Sequence, residues 1–423
     1  MTKDATHKRR ETSNEKRETR VPVDPTSRAG VVMGILFLIF FLGQSDNQMI
    51  SPLLPLIAAE LHIEVGAAGA LMGPAYALAA ATAALLIGPL SDKFGRRRFL
   101  LWASILFGAS LLSVSFIKDV HTLAAVRLAT GLAAGTFSTC STAYVADYFP
   151  YARRGVAMSV VQAGYFAALA IGVPVASVLA SKQSWRTSFV FFGVLSAVAF
   201  AAVAALLPED KHVMADRNLA ARIARRFDNI RVVFERGDRI ASIVAAFCVS
   251  CGFVGFIFYL GSWLKASVGF TTQQIGLFFI LVGIAALMGA FAAGPISDKF
   301  GKQRISIVSS VVLAVTLLLI PSFGWGVPLF VSFLVASLAF AFRQGPVQAL
   351  ATELVPTHAR GALVAMRTTA SQIGIAVSTA VSGWLFDHYG YWTVGLFCST
   401  VTLVATACIA LMKEPEKAMV SGQ

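Results

Sequence analysis

Gly88–Gly95 reads G-P-L-S-D-K-F-G, and Gly294–Gly301 reads G-P-I-S-D-K-F-G, an offset of 206 residues. The same offset carries Asp147 onto Glu353, Pro150 onto Pro356, Arg154 onto Arg360 and Gly155 onto Gly361. Two separate motifs sharing one offset mark an internal duplication, in which each copy is one structural unit. The surroundings of each copy say what that unit is. Both lie between long apolar runs, and basic residues follow at once: Arg96, Arg97 and Arg98 after the first, Lys302 and Arg304 after the second.

The composition agrees. Of 423 residues, 57% are hydrophobic and 13% charged, with a mean hydropathy of +0.72. A soluble domain carries about 25% charged residues, so this chain cannot cover an aqueous surface. Disordered, collagen-like and disulfide-scaffold classes are excluded at the same step. Cys140, Cys248, Cys251, Cys398 and Cys408 all sit in apolar runs and read as small hydrophobes. The C-x-x-C at Cys248–Cys251 has the flanks of a membrane helix, not of a redox or metal site.

A helix needs about 20 apolar residues to cross a bilayer. Such runs occur near 31–56, 66–90, 98–117, 121–149, 155–181 and 185–207, then near 241–264, 271–296, 304–323, 327–354, 361–385 and 390–412. The expected fold is an all-α membrane protein with twelve transmembrane helices in two six-helix, pseudo-symmetric bundles, 31–207 and 241–412. Residues 1–30 carry eight Lys/Arg and five Asp/Glu without an apolar core, and read as a disordered cytoplasmic tail rather than a signal peptide. Residues 413–423 read as a second tail. In the linker 208–240, Leu219, Ile223, Phe227, Ile230 and Phe234 recur at helical spacing among arginines, the pattern of an amphipathic interfacial helix.

Charge placement gives the orientation. Of 35 Lys/Arg, 28 fall on the side that holds both termini, and only Lys118, Lys182, Arg186 and Lys265 on the other. The positive-inside rule then puts both termini in the cytoplasm of a cell whose inner membrane the chain spans. The net charge of +13 is thus a topology signal, and no nucleic-acid partner is expected.

The doubled loop carries a resemblance. G-P-L-S-D-K-F-G-R-R-R, with its weaker copy G-P-I-S-D-K-F-G-K-Q-R, resembles the signature loop of the major facilitator superfamily, over about residues 31–412. R-x-x-x-G at Arg127–Gly131, G-V-P at Gly172–Pro174 and W-R-x-x-F at Trp185–Phe189 resemble the twelve-span bacterial drug and metabolite proton antiporters. Ala176 and Ser177 depart from that pattern, where glycines are usual. Asp92 is placed to sit at the positive end of a helix, and the resemblance implies that this helix is the eleventh span. Arg96 is placed to pair with Asp147. Gly88, Asp92, Gly95, Arg96, Asp147 and Arg154, with Gly294, Asp298, Gly301, Glu353 and Arg360 in the second half, are the expected conformational latch.

Four ionisable residues remain inside the spans: Asp46, Arg127, Arg343 and Arg367. Each costs about 2.5–3.5 kcal/mol at the bilayer centre, so each needs a reason. None is repeated: the offset sets them against Gly252, Phe333, Phe137 and Val161. At 1.5 Å per residue, Asp46 lies about 8 Å and Arg127 about 9 Å from the same outer edge of a core of about 30 Å. The two read as a pair. A carboxylate beside an arginine stays ionised, and in dry surroundings without it takes up a proton, so the pair reads as a proton-coupling device. Arg367 reads as snorkelling to the headgroups. Arg343 either does the same or holds an acidic substrate group. Gln44, Asn47, Gln48, Tyr144, Gln162, Tyr165, Arg343 and Gln372 are the expected lining of a substrate cavity between parallel repeats.

No phosphate-binding loop, metal-ligand spacing or catalytic motif occurs, so no cofactor, metal or enzymatic activity is expected. The partners expected are a small organic substrate, protons and the lipid bilayer, with the chain a monomer. Proton-coupled export is the first functional expectation. Proton-coupled uptake of an organic anion, an uncoupled facilitator or lipid transporter, and a non-transporting membrane sensor are the alternatives.

Overall fold

The computed structural model describes residues 27–209, 231–356 and 360–412. The expected tails, apart from residues 27–30, which form the start of α1, and most of the linker helix, including Leu219, Ile223, Phe227 and Ile230, lie outside them. Among the described residues every regular element is helical: α1 Ser27–Gln48, α2 Ile50–Glu60, α3 Val65–Phe94, α4 Arg96–Ser113, α5 Val120–Tyr148, α6 Tyr151–Ala167, α7 Val173–Lys182 and α8 Trp185–Leu206. After the linker come α9 Gly237–Trp263, α10 Thr272–Phe300, α11 Lys302–Leu319, α12 Val327–Glu353, α13 Arg360–Tyr389 and α14 Tyr391–Ala410.

Local chemistry explains where the helices break. Pro52 has no N–H to offer the Gln48 carbonyl, and the first span is interrupted at Met49, between α1 and α2. Pro174 withholds its N–H in the same way, and α6 passes into α7 through a π turn at Ala168–Gly172. Gly95 and Gly301 end α3 and α10 with φ of 93° and 94°, a region that a side chain strongly disfavours. That is the physical reason for the last glycine of each signature loop.

Eleven spans among the described residues are long and apolar enough to cross a membrane. The remaining one, α13, has 30 residues but carries Ser371, Ser378 and Thr379 among its apolar ones. Its hydroxyls are not turned to lipid: Ser371 and Ser378 donate to the carbonyls of Ala246 and Cys251 on α9. Hydroxyls used as interhelical glue lower the apolarity of a span without removing it from the bundle.

The packing repeats as the sequence does. In the first half α3 packs on α5, α4 on α5 and α8, and α1 on α6 and α8. In the second, α10 packs on α12, α11 on α12 and α14, and α9 on α13 and α14. Side chains repeat too. Arg97 donates to the carbonyls of Val203 and Ala204 at the end of α8, and Gln303 to those of Ile409 and Ala410 at the end of α14. The Ser51 hydroxyl donates to the carbonyl of Ile257, its own equivalent 206 residues on. A contact between equivalent positions lies on the pseudo-twofold axis, so Ser51 marks where that axis runs. The halves meet through α3 on α13, α7 on α10 and α2 on α9.

Candidate functional site

Asp46 and Arg127 form a buried ion pair. Arg127 Nη1 donates to Asp46 Oδ1 at 2.8 Å and Oδ2 at 2.7 Å, and the side chains are 0% and 1% exposed. The Arg127 guanidinium lies 4.5 Å from the centroid of Tyr76, whose hydroxyl donates to the Gly43 carbonyl at 3.1 Å. Backbone contact makes this possible. A methyl group on Gly131 would stand 2.2 Å from the Tyr76 carbonyl oxygen, and one on Gly172 would stand 2.3 Å from Ser45 Oγ. Gly131, one turn after Arg127, therefore lets α5 lie against α3 closely enough for the ring to cover the guanidinium.

Tyr76 also lines a cavity of about 200 Å³ between the halves. Gln44, Asn47, Gln48 and Tyr165 of the first half stand in its wall, with Phe253, Val254, Ile257, Phe258 and Gln372 of the second. The Gln48 amide donates to the Tyr165 carbonyl at 3.2 Å. Three residues expected there are not in that lining. Tyr144 stacks on Tyr148 and donates its hydroxyl to Pro208, because its place near the end of α5 puts it at the level of the α8 terminus. Gln162 is exposed on α6. Arg343 is 0% exposed and outside that lining, behind Phe340, its guanidinium 5.9 Å from that ring's centroid.

Arg367 does not snorkel. It is buried, with Nη1 donating to both the carbonyl and the hydroxyl of Ser242, and Nη2 reaching Gln348 Oε1 at 3.5 Å. Its depth was legible from the rise per residue. Its azimuth, which turns it toward α9 and α12, was not.

At the end that carries the signature loops, Arg96 bridges Asp92 and Asp147, each at 2.9 Å. The offset carries Arg96 onto Lys302, and Lys302 pairs with Glu353. Lys302 was missing from the expected set although the repeat singles it out. Arg154 donates to the Phe149 carbonyl at 2.9 Å, while Asp298 and Arg360 stand exposed. Asp92 accepts from Arg96, and α13 is described only from Arg360, so the expected seat at that helix terminus is not made by described residues. A methyl on Gly88 would meet only Thr139 Cγ2, at 3.8 Å, and one on Gly294 nothing within 4 Å.

The opposite end holds a contact that the sequence reading missed. Asp387 on α13 accepts the first free N–H groups of α3, from Gly66 at 2.7 Å and Ala67 at 2.9 Å. A carboxylate satisfies such donors and suits the positive helix end. The Tyr259 hydroxyl donates to the carbonyls of Thr379 and, at 3.3 Å, Gly66. Gly66, Gly69 and Gly73 form one face of α3, against Gly383, Tyr259 and Thr379. That glycine spacing was the available signal. These contacts join the halves and seal that end. Along α3 and α13, Tyr76 and Gln372 follow on the loop side of the seal, so the cavity lies between the seal and the signature loops.

Comparison with known proteins follows the same lines. The sequence profile of the Major Facilitator Superfamily matches residues 36–378 and, in a second alignment, 242–422. Uncharacterized MFS-type transporter YceJ of Bacillus subtilis (strain 168) is 24% identical over 384 residues, 88% of this chain and 95% of that protein. Multidrug resistance protein D of Escherichia coli (strain K12) is 25% identical over 378 residues, 88% of this chain and 93% of that one. Among solved structures, a D-xylose-proton symporter superposes with a TM-score of 0.74 at 22% identity, over 90% of this chain and 97% of that one.

Proposed function

The chain belongs to the Major Facilitator Superfamily, as a multi-pass transporter and not an enzyme, and on that premise we propose that it exports small organic compounds in exchange for protons. The observation that carries this reading is the Asp46–Arg127 pair, dry, absent from the second half, and separated from the cavity by the single ring of Tyr76. A substrate on one face of Tyr76 and a guanidinium on the other are mechanically linked. While Arg127 lies on Asp46, its guanidinium favours the charged carboxylate over the protonated one. When the halves rock and Arg127 withdraws, a desolvated carboxylate takes up a proton. Proton and substrate then alternate through one site.

The two ends supply the gates. By the positive-inside rule the signature loops face the cytoplasm, both termini lie there, and the Asp387 seal faces outward. In that orientation the described conformation is closed at its outer end. A methyl on Gly294 would meet nothing within 4 Å and one on Gly88 only Thr139 Cγ2, so packing in this conformation demands neither glycine, and we assign both to a close approach when the loop end closes. The bridges of Arg96 and Lys302 hold the loops in shape for that closure. The relative named for multidrug resistance favours export.

Purified protein in proteoliposomes, with an imposed pH gradient and a panel of labelled amphipathic cations, neutral compounds and organic acids, tests the reading. Uphill movement of a compound against the proton flow is expected. Flux indifferent to the gradient makes the protein a facilitator, and no flux for any compound from a folded protein makes it a sensor.

A further inference from the structure

Among the described residues Arg343 is the least satisfied buried charge. It is fully buried on α12, and Nε and Nη1 have no hydrogen-bond partner among the described residues. Nη2 makes one long bond, 3.3 Å, to the Val249 carbonyl. Among the described residues Asp46 is the only buried carboxylate, and Arg127 engages it. Arg367, by contrast, is held by Ser242 and Gln348. A dry, unpaired guanidinium is costly, and such groups persist where another state or a ligand satisfies them.

The fold does not ask for this arginine. The equivalent position in the first half is Phe137, which is 1% exposed and packs on Phe107 with centroids 5.4 Å apart. One architecture fills the same place with an apolar ring in one half and a cation in the other. Between Arg343 and the cavity lie Phe340 and, beyond it, the wall rings Phe253 and Tyr165. Phe340 lies over the guanidinium and stacks on Phe253 at 4.1 Å and on Tyr165 at 6.0 Å. Phe253 and Tyr165 are cavity wall. Concerted rotation of Phe340 and the wall rings it stacks on would bring the forked donors to the cavity surface.

We propose that Arg343 is the anion-recognition group of the central cavity, and that the substrate is a soluble organic compound joining an oxyanion, carboxylate or sulfonate, to an apolar or aromatic body. The fork of N–H groups matches a carboxylate or sulfonate in bidentate fashion. Tyr76, Tyr165, Phe253 and Phe258 receive the body, and Phe340 is the shutter that covers the cation between cycles. This rests on the reading of the cavity as a transport site but not on proton coupling.

The test is equilibrium binding to the full-length protein in detergent, read by thermal stabilisation. The probes are 4-phenylbutyrate, 4-phenylbutanesulfonate, 4-phenylbutanol and 4-phenylbutylamine, with dihexanoyl-phosphatidylglycerol as the arm for a lipid phosphate. The two organic anions should half-saturate at concentrations at least about tenfold below the alcohol and the amine, a difference in binding that one charge-assisted contact supplies. Arg343→Gln should abolish the preference, and Arg343→Lys should keep part of it. Should Arg343→Gln fail to fold, Arg343→Phe, which copies Phe137, is the second variant, expected to be stable and indifferent to head-group charge. Equal stabilisation by all probes, stabilisation by the amine or the lipid alone, none by either organic anion, or an anion preference that survives loss of Arg343 would each overturn the assignment. No gradient is present, so a failure of proton-driven flux leaves this result standing, and the reverse also holds.

Discussion

Removing the Asp387 carboxylate should open the seal at its end of the bundle, the outer end in the proposed orientation, by an amount that the structure sets. Two charge-assisted bonds are lost, from Gly66 N at 2.7 Å, part-buried, and from Ala67 N at 2.9 Å, exposed. The part-buried bond is worth about 1.5 kcal/mol and the exposed bond at the helix terminus about 0.5 kcal/mol. Together, about 2 kcal/mol shifts an equilibrium about 30-fold. Asp387→Asn keeps one acceptor oxygen, so about half the energy and a shift of about fivefold are expected from it. Asp387→Ala should give the full effect. The assay is the rate at which a membrane-impermeant maleimide, added outside right-side-out vesicles, modifies a cysteine at Ile375 in the cavity wall, in a background lacking the five native cysteines. Where closing is fast, that rate follows the open population. Rates rising in the order native, Asn, Ala support the seal. An unchanged rate in Asp387→Ala would show that the outer end is held by something else, and the pairing with α3 would be incidental.

Further outcomes follow from close approaches. Gly131→Ala puts a methyl 2.2 Å from the Tyr76 carbonyl oxygen, so α3 and α5 must part by about 1 Å, which costs about 1–3 kcal/mol of stability and, by misplacing Tyr76 and Arg127, about 100-fold in transport rate. Gly34→Ala, with nothing within 4 Å, should change neither, and melting curves with flux assays compare the two. Gly95→Ala and Gly301→Ala force a side chain to φ of 93° and 94° and should each lower stability by about 1–2 kcal/mol, against no change for Gly155→Ala in open space.

Much of this was legible in the sequence, for identifiable reasons. Period and apolarity report the helices, and a shared offset reports the duplication, because both are one-dimensional properties. Asp46 and Arg127 could be matched because rise per residue converts sequence distance into depth. Direction around a helix is not available that way, and there the reading went astray. Arg367 turned inward to Ser242 instead of reaching the headgroups. Arg343 came to rest behind Phe340 rather than in the wall. Asp387 looked like an ordinary charge near a span end, since its partners on α3 are 321 and 320 residues away and belong to the other half. Lys302 differs: the offset that relates Arg96 to it was already in hand, and the exchange of lysine for arginine hid it.

The central claim is that Asp46 carries the proton, and Asp46→Asn tests it most directly. The substitution keeps the size of the side chain and an acceptor for Arg127 but cannot change charge. In proteoliposomes, a compound moved by the native protein should still exchange across the membrane down its own gradient. Its uphill movement driven by an imposed pH gradient should vanish. Gradient-driven accumulation at the native level in Asp46→Asn would contradict the account and place the coupling outside the Asp46–Arg127 pair.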